Sequence, residues 1–307
     1  MAAVISLLSG LVNMLCVLLM VLMCVAFFTL FERKIMAVMQ SRMGPFKVGI
    51  AGLLQPMVDA LKLLTKLKIG VSNETKRTSL IDVSPAVFMV LSLVSWMAYP
   101  VVWTYLDCQS MMVMVLVAMS LSVYGLVTIG WVSKSKYAII GALRAVSQSI
   151  SYEMVFMLSM LGIMWLLSTA SFGDVWILAY LCPLVVALSV AFVTSFVSLL
   201  AESSRPPFDL SEGEAEIVAG WNIELGSQSF TLAFLSEQLS VVWMCVLLTT
   251  VFLGVTALAM KVVSLLLAVV ATRVAFPRMR FDKVMNTCWT QLLPLLILFY
   301  LMLIIFT

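Results

Sequence analysis

The chain has 307 residues, of which 63% are hydrophobic and 11% charged, with a net charge of +3 and a mean hydropathy of +1.15. Soluble domains carry about 25% charged residues, so this composition excludes a soluble protein. The apolar runs have helix length, roughly 20 residues per span, and lack the alternation of a membrane β-barrel. The expected fold is all-α: a polytopic membrane protein in one transmembrane domain, 1–307, with about eight tilted helices and an amphipathic interfacial helix.

Eight spans are expected, at 5–31, 82–106, 111–132, 138–167, 175–201, 231–256, 258–276 and 284–306. The N-terminus has no basic n-region and no small-residue cleavage site, so it reads as a retained first span. Fifteen of the 18 cations follow spans one, three and seven, with Lys261 an exception on the other side. By the positive-inside rule that face is cytoplasm or matrix, and both termini lie opposite.

Where span one ends, Glu32-Arg33-Lys34 and Arg42-Met43-Gly44-Pro45 stand together. Arg33 and Lys34 suit membrane anchoring; Gly-Pro forces a turn that sets how Arg42 projects. Residues 53–66 read as an amphipathic helix with Pro56 in its first turn and a stripe of Leu53, Met57, Leu61 and Leu64. It is either an interfacial anchor or the wall of an opening between membrane and protein.

Span four carries Arg144, Gln148, Tyr152 and Glu153 in apolar surroundings. Arg144 and Glu153 lie on opposite sides of an ideal helix, so each is expected to find a partner elsewhere. Span five leads into an acidic stretch, 202–226, with Glu202, Asp209, Glu212, Glu214, Glu216 and Glu224 against one cation, Arg205. Asp209, Ser211 and Glu214 suit a helix start, Ser211 and Glu214 as a capping box. Capping leaves Glu202, Glu212, Glu216 and Glu224 unexplained. Acids crowded at low dielectric titrate together and exchange protons, and Arg205 would hold one of them ionised or bind a substrate oxygen. Span six adds Glu237, on one face with Phe234. The exit of span seven, from Arg273 to Asp282, is a basic cluster whose plainest reading is lipid headgroup contact.

Histidine is absent and the six cysteines are scattered, so neither an iron–sulfur cluster nor a zinc site is expected. No phosphate loop, dinucleotide fingerprint or nucleophile triad occurs.

Several ordered motifs resemble the chain 1 subunit family of proton-pumping NADH:ubiquinone oxidoreductase (respiratory complex I). They include Gln40-x-Arg-x-Gly-Pro45, Gly52-Leu-Leu-Gln-Pro-x-x-Asp-Ala-x-Lys-Leu63, Tyr137-Ala-x-x-Gly-Ala-Leu-Arg-Ala145, Gln148-x-Ile-Ser-Tyr-Glu153, Arg205-x-Pro-Phe-Asp-Leu-x-Glu-Gly-Glu-x-Glu216 and Pro277-Arg-x-Arg280. The resemblance implies a subunit that forms much of the quinone tunnel, docks the peripheral redox arm and starts proton transfer along the membrane arm. It assigns Arg33, Arg42, Asp59, Phe234 and Arg273 to the tunnel or its mouth. It assigns Glu153, Glu202, Glu212, Glu214, Glu216, Glu237, Arg144 and Arg205 to an acidic funnel. Ubiquinone is the implied substrate, with no bound metal or flavin in this chain. Implied partners are other membrane-arm subunits, the quinone-site and iron–sulfur subunits of the peripheral arm, and membrane lipid, with no nucleic acid. The implied location is the mitochondrial inner membrane, or a bacterial plasma membrane.

The chain departs from the family pattern at Phe46, Leu67, Pro206, Leu225 and Gln238. A homologous subunit of a proton-translocating hydrogenase, a stand-alone cation or proton transporter and a structural assembly platform are the alternative readings.

Overall fold

The computed structural model describes residues 2–66, 75–97, 110–171, 174–175, 188–210 and 220–306, and every regular element among them is helical. In chain order these are α1 (Ala2–Met39), α2 (Gln55–Thr65), α3 (Thr75–Met97), α4 (Met111–Ser133), α5 (Lys136–Leu167), α6 (Ser189–Glu202), α7 (Ser227–Leu248), α8 (Leu258–Ala275), α9 (Phe281–Asn286) and α10 (Leu293–Phe306). A π-helical turn, Thr249–Leu253, extends α7, and a second, Thr287–Leu292, joins α9 to α10.

Among the described residues six helices are long and apolar enough to cross a membrane, and Leu80–Trp96 and Ser189–Glu202 are shorter apolar helices. These two overlap the expected spans 82–106 and 175–201, whose remaining parts lie largely outside the described residues.

Helix α1 runs past the expected end of its span because nothing before Gly44-Pro45 breaks it. Glu32, Arg33 and Lys34 therefore project from a regular helix. The chain leaves α1 through Ser41 at φ 54°, with the Arg42 amide closing on the Ala37 carbonyl at 2.8 Å. Helix α2 forms where the amphipathic pattern predicts. It packs against α1 and α7, and Leu53, Met57, Leu61 and Leu64 remain exposed. Its end is tied to the start of α7, where the Gln228 amide donates to the Leu64 carbonyl.

Helices α4 and α5 form a tight hairpin. Lys134 turns left-handed at φ 53° and Ser135 caps α5, its hydroxyl accepting from the Ala138 amide at 3.2 Å. Helix α5 is the central element, packed against α4, α6, the Gly220–Asn222 turn and the α9–α10 rod. Tyr152 donates to the Val284 carbonyl and Tyr300 to the Ser159 carbonyl, which pins that rod at two levels.

Lys261, the exception to the charge asymmetry, has a structural role. Its ammonium donates to the carbonyls of Leu253 (2.6 Å) and Gly254 (3.3 Å) and to the Thr256 hydroxyl (3.0 Å). A cation at a helix C-terminus satisfies orphan carbonyls and the dipole. Removing three charge-assisted donors at Lys261→Ala should cost about 1.5–3 kcal/mol. It should be read as a lower midpoint of thermal inactivation in the purified assembly; an unchanged midpoint would show the ammonium is idle.

Candidate functional site: two adjoining cavities

The basic and acidic groups near the exits of α1, α6 and α8 do not face solvent or lipid alone. They close around a cavity of about 190 Å³. Helix α1 contributes Glu32, Arg33 and Met36, the segment after α6 contributes Arg205 and Asp209, α7 contributes Phe234 and Glu237, and α8 contributes Arg273.

Glu32 is the pivot of this cavity. It is 4% exposed and accepts from Arg205 at 2.8 Å, with Arg273 at 3.5 Å. Arg205 is also buried. One carboxylate thus serves two guanidinium groups in a low-dielectric setting, where breaking a pair costs far more than at a surface. The expectation had Arg205 neutralising a neighbour in the acidic stretch; its partner comes instead from the first helix. Glu32 appears in a motif but in neither residue set drawn from the resemblance. A signal for it exists in the helical phase: Val21, Val25, Phe28 and Glu32 recur at the spacing of one buried face.

The helix start expected around Asp209, Ser211 and Glu214 falls largely outside the described residues, but Asp209 itself is described. It is buried, accepts from Arg278 at 2.9 Å and lines the cavity. Two of the cations read as lipid contacts, Arg273 and Arg278, accordingly have carboxylate partners within the protein. The Met279 amide, donating to the Pro207 carbonyl at 3.0 Å, holds the same two segments together. From α5, the buried Gln148 amide donates to the carbonyls of Ala201 (2.7 Å) and Phe208 (2.8 Å), fixing the chain just after α6.

At the rim, Arg33 meets Asp59 of α2 at 2.6 Å, and Gln55 donates to the other Asp59 oxygen at 2.9 Å. Phe234 stacks with Phe230 at 6.2 Å between centroids. Arg42 is exposed, away from the lining of either cavity.

A second cavity, of about 40 Å³, lies deeper among α3, α4, α5, the end of α6 and α7. Ser203, Ser204 and Glu237 line both, so the two volumes adjoin there. Glu202 faces the deeper one, and its Oε2 is buried with no hydrogen-bond partner. Glu153, on α5, lies within electrostatic reach of Glu202; its Oε1 is likewise buried and unpartnered. The neighbour that Glu153 meets from another helix is thus a second carboxyl. Arg144 is half-buried on the same helix.

The structure thus brings together Arg33, Arg205, Arg273, Phe234 and Glu237 around one cavity, with Glu202 and Glu153 on its inner side. Asp59 joins through Arg33, and Arg42 does not join. Glu212, Glu214 and Glu216 lie outside the described residues. Among the family departures, Pro206 lines the larger cavity and Leu225 packs beside Trp221. Phe46 is exposed, Gln238 is fully buried with neither amide atom hydrogen-bonded, and Leu67 lies outside the described residues.

The model of the NADH dehydrogenase family matches residues 12–304. The chain is 37% identical over 302 residues to an NADH-ubiquinone oxidoreductase chain 1 of Apis mellifera ligustica, covering 96% of this chain and 97% of that one. It is 38% identical to the chain 1 of Chondrus crispus, covering 94% of each. Against the Paracentrotus lividus chain 1 it is 40% identical, covering 90% of this chain and 88% of that one. Similarity at that level along nearly the whole length means that the chain belongs to the NADH dehydrogenase family, among relatives named NADH-ubiquinone oxidoreductase chain 1.

Proposed function

We propose that this chain is the core membrane subunit of a proton-translocating NADH:quinone oxidoreductase, working in the mitochondrial inner membrane with both termini on the intermembrane-space side. Its eight spans form one domain, with α2 at the interface. The 190 Å³ cavity belongs to the quinone tunnel, Arg33 and Asp59 stand at its mouth and Phe234 inside it. Electrons reach the quinone from an iron–sulfur subunit of the docked peripheral arm, since among the described residues there is no cluster of metal-ligating side chains. Reduction of the quinone adds negative charge beside Arg205, Arg273 and Glu237, and that charge draws protons from the inner carboxyls.

The observation that carries this reading is the position of Glu237, which lines both the charged cavity and the deeper volume that holds Glu202. A carboxyl at the junction exchanges a proton with either side when charge at one side changes. Glu237→Gln keeps the shape and removes the titration. It should lower NADH-driven quinone reduction and the linked proton movement more than tenfold, with the assembled complex present in normal amount. Turnover and pumping at the unmodified level in an assembled Glu237→Gln complex would overturn the proposal.

A further inference from the structure

The deeper cavity has a lining that a plain proton path does not require. It is built from serine hydroxyls rather than from a row of titratable groups. Five of them donate back to the carbonyl three residues earlier on their own chain segment: Ser92 to Met89, Ser122 to Met119, Ser149 to Val146, Ser203 to Leu200 and Ser240 to Glu237, at 2.7–3.2 Å. A hydroxyl has one proton and two lone pairs. With the proton committed to the helix, what remains for the cavity is acceptor oxygen.

Three further observations give that lining a sign. Glu202 and Glu237 add carboxyl oxygens, and the buried Glu202 Oε2 has no hydrogen-bond partner. Among the described residues no Lys or Arg lines the cavity. Helix α6 ends at Glu202, where Ser204 turns left-handed at φ 49°, so the negative end of its dipole meets the cavity wall. Oxygen acceptors at a helix C-terminus, with carboxylate charge and apolar surroundings, form the chemistry that binds alkali cations in membrane proteins. By the measure in which one water needs about 10–15 Å³, the volume of about 40 Å³ takes one ion with one or two waters. Walls such as Phe88, Met119 and Trp243 keep out more. Among the described residues there is no cluster of three His, Cys, Asp or Glu of the kind a transition metal takes.

We infer that this serine-lined chamber is a binding site for one monovalent cation of sodium's size. The inference stands on the chamber's lining and does not rest on the quinone reading. The intact purified complex, exchanged into choline chloride, should bind radioactive sodium saturably, with Li⁺ competing more effectively than K⁺. Ser122→Ala combined with Ser240→Ala should weaken that binding tenfold or more, and Ser122→Thr, which keeps the hydroxyl, should not. If the double variant does not assemble, Glu202→Gln serves, and should likewise weaken sodium binding tenfold or more. Absence of saturable sodium binding, or binding that the variants leave unchanged, overturns the inference. Because binding is read without turnover, the result is separate from the outcome at Glu237.

Discussion

Arg205→Met should nearly abolish the assembled complex, whereas Arg205→Met combined with Glu32→Gln should recover most of it. Methionine fills much of the arginine volume but removes the guanidinium that sits 2.8 Å from Glu32. Glu32 is then left with Arg273 alone, at 3.5 Å and one-third exposed. Stripping one partner from a buried pair costs about 3–5 kcal/mol, mainly through the charge left behind. Removing that charge as well, with Gln in place of Glu, removes most of the penalty. Arg205→Lys should rescue poorly, since an ammonium lacks the planar fork that reaches a fixed carboxylate. The amount of intact complex on native gels, with NADH oxidation in membranes, measures all three variants. A single Arg205→Met variant that assembles normally would show that the pair carries little stability. A double variant no better than the single one would place the effect in lost packing rather than in the stranded charge. The double variant should still reduce quinone slowly, because the cavity then lacks its buried cation.

Gly141→Val should have an effect of similar size for a different reason. A Cβ at Gly141 would come within 2.7 Å of the Gly220 Cα and 3.0 Å of the Trp221 amide nitrogen, so backbone meets backbone. No side-chain rotation relieves that contact. Gly220 itself turns at φ 55°, and Trp221 behind it is 1% exposed, packed with Ala142, Ala145 and Leu126. Valine would push this turn off α5 and open the cluster around Trp221. Overpacking a close contact costs about 1–3 kcal/mol, and loosening a buried indole adds to it. The expected result is a complex that inactivates at markedly lower temperature, with Gly141→Ala intermediate between Val and the unmodified chain. Equal thermal inactivation for Gly and Val would mean the approach is looser than described.

Hydropathy was enough for the all-helical membrane class, because an apolar run of span length has few other outcomes. What it could not locate was lateral pairing. Glu32 stood just past the expected span 5–31 and proved to be inside α1, since a helix continues until something breaks it. Helical phase, rather than hydropathy, carried the information. Asp209 read as a helix-start residue from its neighbours in sequence, which say nothing of Arg278, its partner 69 residues later. The resemblance put Glu153 and Glu202 in one funnel, but the wheel of α5 alone says where Glu153 points and not what stands opposite. The serine chamber was the least legible of all. Each serine on its own is an ordinary membrane-helix residue bonded to its own backbone. Only the packing of several helices brings them onto one volume.

The bridge at Glu32 also bears on how the protein is made. Glu32 leaves the ribosome with the first helix, and Arg205 follows 173 residues later, with Arg273 later still. Chains are synthesised and inserted from the N-terminus, so for most of synthesis the first helix carries an acid with neither arginine yet in place. The buried bridge therefore closes only after α6 and α8 have been made, and it ties the first helix to segments that follow much later in the chain.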